Sequence, residues 1–590
     1  MKNVKAFGAI RFIFTLIAIF LVLILGVKGH SSNTFSFFER LYATFQMFIM
    51  GGGEQPDKFF NIQIMIARYI AAILAGLGIL TLLYDFLYLS YKILKIQFCY
   101  SSHYIICGLG EISYRLIKDL QDKEPNSKIV VIELNPDSNY IDKVGKKAII
   151  LFGNAMNERI LNFAGVKKAS NIIIATGFDD LNIKIANFIS DLEQKRKRNA
   201  KLTCILHIDN WNNINVLKDN LEFFHDSKNK FFDLIIYNMY QACAQIIFDK
   251  YGPHIVKNKF DPTNVCIAIF GYNKTTEAFL LENMILGQYH PINKMKIFLI
   301  EKNISKYLGE FKQKFPFYSK YLEIIPIELE DNSFNLPELT KNAASIQRCY
   351  VFNDNDAIAL ERAKLMRQFF YTSSNMELTV PPIVVCLYEE VDFIHSFETN
   401  SKNSFEKKME KKLGISLVYL VSDTCTKEKL IKERDKIEKL AKIINYYYCD
   451  QKVINNMVRE NKFSKDVLDD LPLDEKWKNL SDRLKDSNRY AARHIKVKTL
   501  LIGKNNVENK DELLRLIPIE HNRWCAEKEI FGYRYGTRAK GKDSEINTAK
   551  ELLKIHSSIV EFDQLSQSEK NIDYNIFRIA MLINENIKND

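Results

Sequence analysis

The sequence lacks the marks of most catalytic chemistry. It has no G-x-S-x-G nucleophile turn, no Walker-A lysine loop and no paired His/Cys constellation at a spacing suited to acid–base or nucleophilic work. Its 10 cysteines include no C-x-x-C pair and no Cys/His cluster with zinc-ligand spacing. Free thiols in a reducing compartment are therefore expected, and a metal site is not. The formal net charge of +11 is spread along 590 residues rather than gathered in one arm. The densest basic run, Lys195–Arg198, reads as a solvated loop or helix face, so no nucleic-acid partner is expected. An enzyme, a zinc protein and a nucleic-acid binder are thus all disfavoured. A chain this long needs several cores, and a mean hydropathy of −0.16 makes any membrane part a minority.

What is present begins with two apolar runs, about residues 10–27 and 64–94, the second broken only by Arg68, Asp85 and Lys92. Each reaches the roughly 20 residues that a helix needs to cross a bilayer. Lys28 and His30 follow the first run without a small-x-small cleavage site, which reads as a retained anchor rather than a signal peptide. Lys2, Lys5 and Arg11 start the first run, and Lys92 and Lys95 end the second. The positive-inside rule then puts both termini in the cytoplasm.

Between the runs, Phe35–Phe48 is helical in pattern and is followed by Met50-Gly51-Gly52-Gly53-Glu54-Gln55-Pro56. The segment 35–56 resembles the re-entrant pore loop of two-span potassium channels, whose filter reads T-V-G-Y-G-D. Aligning the glycines places Ile49, Met50, Gly51, Gly52, Gly53 and Glu54 on those positions. Both flanking glycines and the acid are kept, while the threonine ligand and the bracing tyrosine are lost. The resemblance implies a pathway for monovalent cations without strict potassium selectivity. Gly76 and Gly78 would serve either a bend in the second helix or close helix packing.

The text then changes to alternating strands and helices. Tyr104–Cys107 leads into Gly108-Leu109-Gly110-Glu111-Ile112-Ser113, a helix over 114–121, and a strand Ile129–Ile132 ended by Glu133. This is a β-α-β unit with a dinucleotide fingerprint and an acid placed for ribose hydroxyls, favouring NAD or an adenine nucleotide over NADP. Ile149–Phe152 follows, with Gly153-Asn154-Ala155, Ile160–Val166, the strand Ile172–Ala175 and Thr176-Gly177-Phe178-Asp179-Asp180-Leu181-Asn182. The run closely resembles the regulator-of-conductance (RCK, or potassium-transport nucleotide-binding) domain over about residues 100–252. That resemblance implies a nucleotide held by Gly108, Leu109, Gly110, Glu111, Ile112, Glu133, Gly153, Asn154, Ala155 and Thr176. Asn154 stands where the family has aspartate, so no cation is expected there.

A second unit, about residues 263–425, repeats the order of elements. Val265–Phe270 and Gly271–Thr276 open it, Lys296–Ile300 ends in Glu301, and Cys349–Phe352 and Ile383–Leu387 follow, with Asp354 and Asp356 between them. Asn273 replaces the second fingerprint glycine, which hinders approach of a pyrophosphate. A structural role, or a site for some smaller ligand, is expected. Tandem RCK units imply a homo-oligomeric, tetrameric ring.

From Ile437 the chain is helical and charged. Glu520-His521-Asn522-Arg523-Trp524-Cys525-Ala526-Glu527, then Gly532-Tyr533-Arg534-Tyr535-Gly536, resemble the repeat domain named after ryanodine receptors, over about residues 437–585. Arg489, Glu520, Arg523, Trp524, Tyr533, Arg534 and Tyr535 would suit a planar base and a phosphate. Equally, Glu520 and Arg523 would pair to hold helices together.

The expected architecture is multi-domain: an α-helical two-span pore domain (1–98), two α/β Rossmann-like RCK units, and an all-α repeat domain. The expected function is a ligand-gated, potassium-channel-like protein of a bacterial inner membrane, gated by a nucleotide. Fusion to the repeat module suggests a second messenger of a stress or phage-defence response. Two other readings stay open. One is a non-conducting membrane-anchored sensor that regulates a separate transporter. The other is a membrane-tethered dinucleotide-dependent oxidoreductase, disfavoured because no substrate domain with an acid–base pair follows.

Overall fold

The computed structural model describes residues 2–30, 36–49, 62–195, 201–219, 232–256, 260–329, 336–373, 380–388, 409–448, 472–478, 480–503, 510–536 and 552–587. Two six-stranded sheets organise the chain. The first holds β1 (Tyr104–Cys107), β2 (Ile129–Glu133), β3 (Ile149–Phe152), β4 (Asn171–Ile174), β5 (Leu202–His207) and β6 (Phe232–Tyr237), in the order β3-β2-β1-β4-β5-β6. The second holds β7 (Cys266–Phe270), β8 (Met295–Glu301), β9 (Leu322–Glu328), β10 (Arg348–Phe352), β11 (Ile383–Leu387) and β12 (Ile415–Tyr419). Its order is β12-β11-β10-β7-β8-β9, and all its pairings are parallel. Counted from its own first strand, each sheet runs 3-2-1-4-5-6, the doubly wound Rossmann order. Five of the twelve strands, β1, β2, β7, β10 and β11, are buried along their whole length, as near-continuous runs of Ile, Val and Leu require in a sheet covered on both faces. β9 and β12, which the sequence reading did not single out, complete the second sheet.

By compactness the chain forms two units. One is Met1–Ile105 with Lys128–Ala169; the other is Ile106–Ser127 with Ser170–Asp590.

In the first unit, α1 (Lys2–Gly29), α2 (Phe37–Gln46) and α3 (Ile62–Cys99) pack around Val22, Met47, Ala67 and Ala71. Ser36 and Glu39 form a capping box that starts α2. Gly26 lies against Thr44, where an added Cβ would come within 2.3 Å of a methyl group. Among the described residues, Ile62–Leu80 is long and apolar enough to cross a membrane, and Phe14–Gly29 is a shorter apolar helix. The expected pore helix corresponds to α2, and Met47–Ile49 form a 3-10 turn that leaves Ile49 81% exposed. Met50, Gly51, Gly52, Gly53 and Glu54 lie outside the described residues. Among the described residues, a Cβ on Gly76 or Gly78 would meet nothing within 4 Å.

The C-terminal end of α3 is fastened to the segment that follows β3. Gln97 Nε2 donates to Asn162 O at 2.6 Å, Lys168 Nζ to Gln97 O at 2.7 Å, and Ser102 N–H to Lys168 O at 2.8 Å. His103 Nε2 lies 2.8 Å from Ala164 O. Gly165 (φ +74°) is required there, since a Cβ would press on His103 and Ile96 at 3.0 Å.

In the second unit, α4 (Glu111–Lys123), α5 (Asp179–Gln194), α6 (Trp211–Asp219) and α7 (Met239–Tyr251) accompany the first sheet, while α8 (Lys274–Leu286) and α9 (Asp356–Ser373) flank the second. The C-terminal region adds α10 (Glu433–Tyr448), α11 (Asp482–Arg493), α12 (Ile495–Ile502), α13 (Lys510–Ile530) and α14 (Gln567–Ile587). Of these, α11, α12 and α13 share a core with α7 and α8 through Phe248, Met284, Tyr490, Val497 and Ala526. The region is not purely helical as expected: Arg534–Tyr535 pairs in parallel with Ile555–His556. The Gly532 turn (φ +91°) redirects the chain out of α13, and Arg534 N–H is satisfied by Lys554 O at 2.8 Å.

Candidate functional site

β1 ends at Cys107 and the chain turns at Gly108, whose φ is +90°. An added Cβ would lie 2.7 Å from Thr176 Cα and 2.8 Å from Ala175 O, so only glycine fits here. Gly110 differs. It N-caps α4 without any side-chain cap, and a Cβ there would meet nothing within 4 Å. The first turn of α4 thus starts with no side-chain cap and beside open space, the arrangement that receives a pyrophosphate. Ser113, in the third glycine position, is fully buried and its Oγ has no hydrogen-bond partner. The packing uses its small size rather than its hydroxyl. Leu109 is buried, and Ile112 packs against the unit's main core. Glu111 is held by Arg115 at 3.0 Å, one helical turn on.

Thr176 donates twice to Asn182 Oδ1, from its N–H at 2.9 Å and its hydroxyl at 2.6 Å. Asn182, fully buried, donates in turn to His207 O at 3.0 Å. Asp179 accepts from Asp209 N–H at 2.9 Å and Asn210 N–H at 3.0 Å. The D-D-L-N end of the motif is therefore a clasp between the loops that leave β4 and β5. The sequence reading quoted Asp179 and Asn182 without assigning them this role. Their three- and six-residue spacing from Thr176 is the available signal.

The other predicted residues lie in the first unit. Glu133 ends β2, is buried, and accepts from Asn135 N–H at 2.7 Å. Gly153 donates its N–H to Glu133 O at 2.9 Å. Asn154 Oδ1 accepts from Met156 N–H at 2.9 Å, forming an Asx-turn that needs no charge. Ala155 is buried beside it in sequence. The second unit thus holds a forced glycine and an uncapped helix start, and the first unit by itself holds an acid that ends a strand.

In the second fingerprint, the chain itself bonds the residues that replace the glycine and end the second strand. Gly271 (φ +105°) is again obligatory, since a Cβ would fall 1.7 Å from Phe352 O. Asn273 caps α8, accepting from Thr276 N–H at 3.0 Å, and donates to Asp354 at 2.9 Å. At the end of β8, Glu301 receives two bonds from Arg362, at 2.7 and 3.1 Å. Asn273 and Glu301 are thus both bonded to other side chains of the same unit.

The seven residues expected to line a C-terminal pocket do not meet around one. Glu520 and Arg523 are fully buried: Arg523 lies between Glu520 (2.9 Å) and Glu527 (2.8 Å), and Glu520 also binds Lys498 at 2.6 Å. This is the helix-holding alternative. Trp524 packs against the main core and Tyr533 is buried, with Lys528 Nζ 5.9 and 5.2 Å from their rings. Arg534 stacks over Phe317 at 5.2 Å, and Tyr535 is exposed. Arg489 is elsewhere, bonded to Glu438 at 2.7 and 3.1 Å and to Asp486 at 2.9 Å. Side-chain direction, which motif spacing does not carry, separates them.

The fold and first turn define a Rossmann-type nucleotide-domain architecture. More particularly, residues 104–221 match the TrkA-N domain. An uncharacterised protein of Methanothermus fervidus is 33% identical over 118 residues, which cover 20% of this chain and 17% of that one. A Trk system potassium uptake protein TrkA homologue of Archaeoglobus fulgidus is 32% identical over 80 residues, 13% of this chain and 17% of that protein. The chain therefore spans about a sixth of the length of the curated relatives it matches. Among solved structures, it is similar to the GsuK channel bound to NAD (12% identity, TM-score 0.35, 72% of this chain and 83% of that one). It is also similar to GsuK bound to ADP (14% identity, TM-score 0.33, 72% and 97%).

Proposed function

We propose that this chain is a subunit of a ligand-gated ion channel of the potassium-channel type, whose first Rossmann unit senses a nucleotide and biases the pore. In this reading α1 and α3 span a bacterial inner membrane, both termini are cytoplasmic, and the subunit assembles as a homotetramer around a path for monovalent cations. The region from Ile437 acts as a repeat module of the ryanodine-receptor type, and the chain is not an enzyme. The observation that carries the reading is the fastening of α3 to residues 162–168 by Gln97, Ser102, His103 and Lys168. The same compact unit holds Glu133 and Gly153–Ala155.

A nucleotide that binds one arrangement of that unit better than another shifts the position of α3 by that difference in affinity. The exposed apolar side chains of α3 support a lipid or intersubunit setting; Tyr69, Ile73, Leu80, Tyr84 and Phe86 are 60–68% exposed. The TrkA-N match and the potassium-uptake relative support the transport assignment. On the far side of the fingerprint, α4 is tied to the C-terminal region by Lys427, which bonds Asp119 at 2.9 Å and Glu124 at 2.6 Å.

The loss of the filter threonine and tyrosine, with Ile49 and Gly52 in their places, favours a second reading. In it the chain is a non-conducting membrane-anchored sensor that regulates a separate transporter. Thermal shift of the purified full chain with NAD and ADP tests the sensing step that both readings share. Stabilisation by one of them is expected, and stabilisation by neither would overturn it.

A further inference from the structure

A cavity of about 200 Å³ lies among β6, α7, the start of α10 and α11, all within the second unit. Five cations line it, and four have carboxylate partners. Lys218 binds Asp486 at 2.6 Å, and Arg489 binds Glu438 at 2.7 Å and Asp486 at 2.9 Å. Lys429 binds Glu433 at 2.9 Å, while Arg493 binds Asp249 at 3.1 Å and also Glu282.

The fifth, Arg434, is different. Its Nη1 is buried and donates to no acceptor. Three carboxylates lie near enough to act on it, but two have nearer partners. Glu438 serves Arg489 and Trp477 (2.8 Å), and Asp233 pairs with Lys201 at 3.1 Å. Asp482, the third, lies 3.9 Å from Lys485. Burial, then the neighbouring Arg489, press the Arg434 pKa downward, so its charge is held at a cost. A buried donor left unmet costs more than a made bond returns, and a guanidinium edge matches a tetrahedral oxyanion. Gln245 also lines the cavity, and Gln241 Nε2 donates to the Tyr490 oxygen at 3.1 Å, leaving the Tyr490 hydroxyl hydrogen to donate. The volume is below the roughly 300 Å³ at which pockets take a whole nucleotide-sized ligand.

We infer that this cavity is a site for a compact oxyanion of the phosphate class, with Arg434 as its principal partner. The site is separate from the first fingerprint and does not depend on the nucleotide reading. An anion there joins α10, which opens the C-terminal region, to β6 of the first sheet and to α11. Occupancy therefore tightens the C-terminal helices onto the Rossmann core.

The test is a thermal-shift titration of the full chain with inorganic phosphate at constant ionic strength, with chloride and acetate as comparison arms. The wild type should show a saturable rise in Tm with phosphate, and Arg434→Gln should raise the half-saturating concentration at least tenfold. Arg434→Lys, which keeps the charge but loses the fork, should do so too and serves if the Gln variant does not fold. Gly110→Asp should respond to phosphate as the wild type does. No saturable response, an unchanged response in both Arg434 variants, or equal half-saturation by acetate would each overturn the assignment. An NAD arm keeps the two claims apart. Loss of the phosphate response with the NAD response intact sinks this site alone, and the reverse sinks nucleotide sensing alone.

Discussion

Arg362 grips Glu301 with two hydrogen bonds, at 2.7 and 3.1 Å, whereas Glu133, the equivalent acid of the first Rossmann unit, accepts from the Asn135 backbone. One acid is committed to a cation of its own chain, and the other is held by its own turn.

Arg362→Met should therefore destabilise the chain without creating a second nucleotide site. Removing one partner of this mostly buried pair should cost about 2–4 kcal/mol in urea unfolding. Calorimetric stoichiometry should stay at one nucleotide per chain, since Asn273 still caps α8. A stoichiometry of two would contradict this account.

The two fingerprint glycines should behave differently. Gly108→Ala forces a Cβ onto Thr176 and Ala175 at a positive φ, and should cost about 2 kcal/mol or more. Gly110→Asp meets open space and supplies an N-cap, so stability should hold or rise by about 0.5 kcal/mol. The introduced carboxylate nevertheless occupies and repels the pyrophosphate position, and the NAD- or ADP-induced shift should vanish. Retention of that shift in a folded Gly110→Asp protein would argue against this turn as the nucleotide site.

Arg523→Gln should be severe for stability and silent for ligands. It removes the cation shared by two fully buried carboxylates, leaving Glu520 to Lys498 and Glu527 to Lys528 and Ser487, at a cost of about 3–5 kcal/mol. The Tm increment produced by NAD should match that of the wild type. A selective loss of ligand response at unchanged stability would restore Arg523 to a binding role.

His254 makes the second unit acid-sensitive. Burial pushes its pKa from 6.5 down to about 4, against the opposing pull of Asp249, while its ring stands 2.9 Å from the Tyr289 hydroxyl. The unfolded chain therefore takes up a proton that the folded chain refuses. This contribution is whole above about 6.5 and is lost as pH falls toward about 4. The loss amounts to about 3 kcal/mol. In urea unfolding across that window, His254→Gln should reduce the pH slope by up to one proton. An unchanged slope would refute the assignment.

Much of the fold was legible because the strands are short runs of Ile and Val ended by glycine or acid. Gly108, Gly110 and Glu133 could be placed from spacing alone, and Gly271–Asn273 already indicated a blunted second turn. The C-terminal signature was equally visible, but its roles were not. Glu520 lies one turn before the adjacent Arg523 and Trp524 on α13, and the partners Lys498 and Lys528 decide whether a side chain faces core or pocket. Long-range pairs such as Arg362 with Glu301, 61 residues apart, leave no local pattern. Lys427 with Glu124 is of the same kind.

The most direct test of the central claim is monovalent-cation flux into liposomes holding the purified full chain, with and without NAD or ADP. The account predicts flux that changes on nucleotide addition in the wild type and does not respond in Gly110→Asp. Flux indifferent to both nucleotides in the wild type, or no flux under any condition, would contradict it.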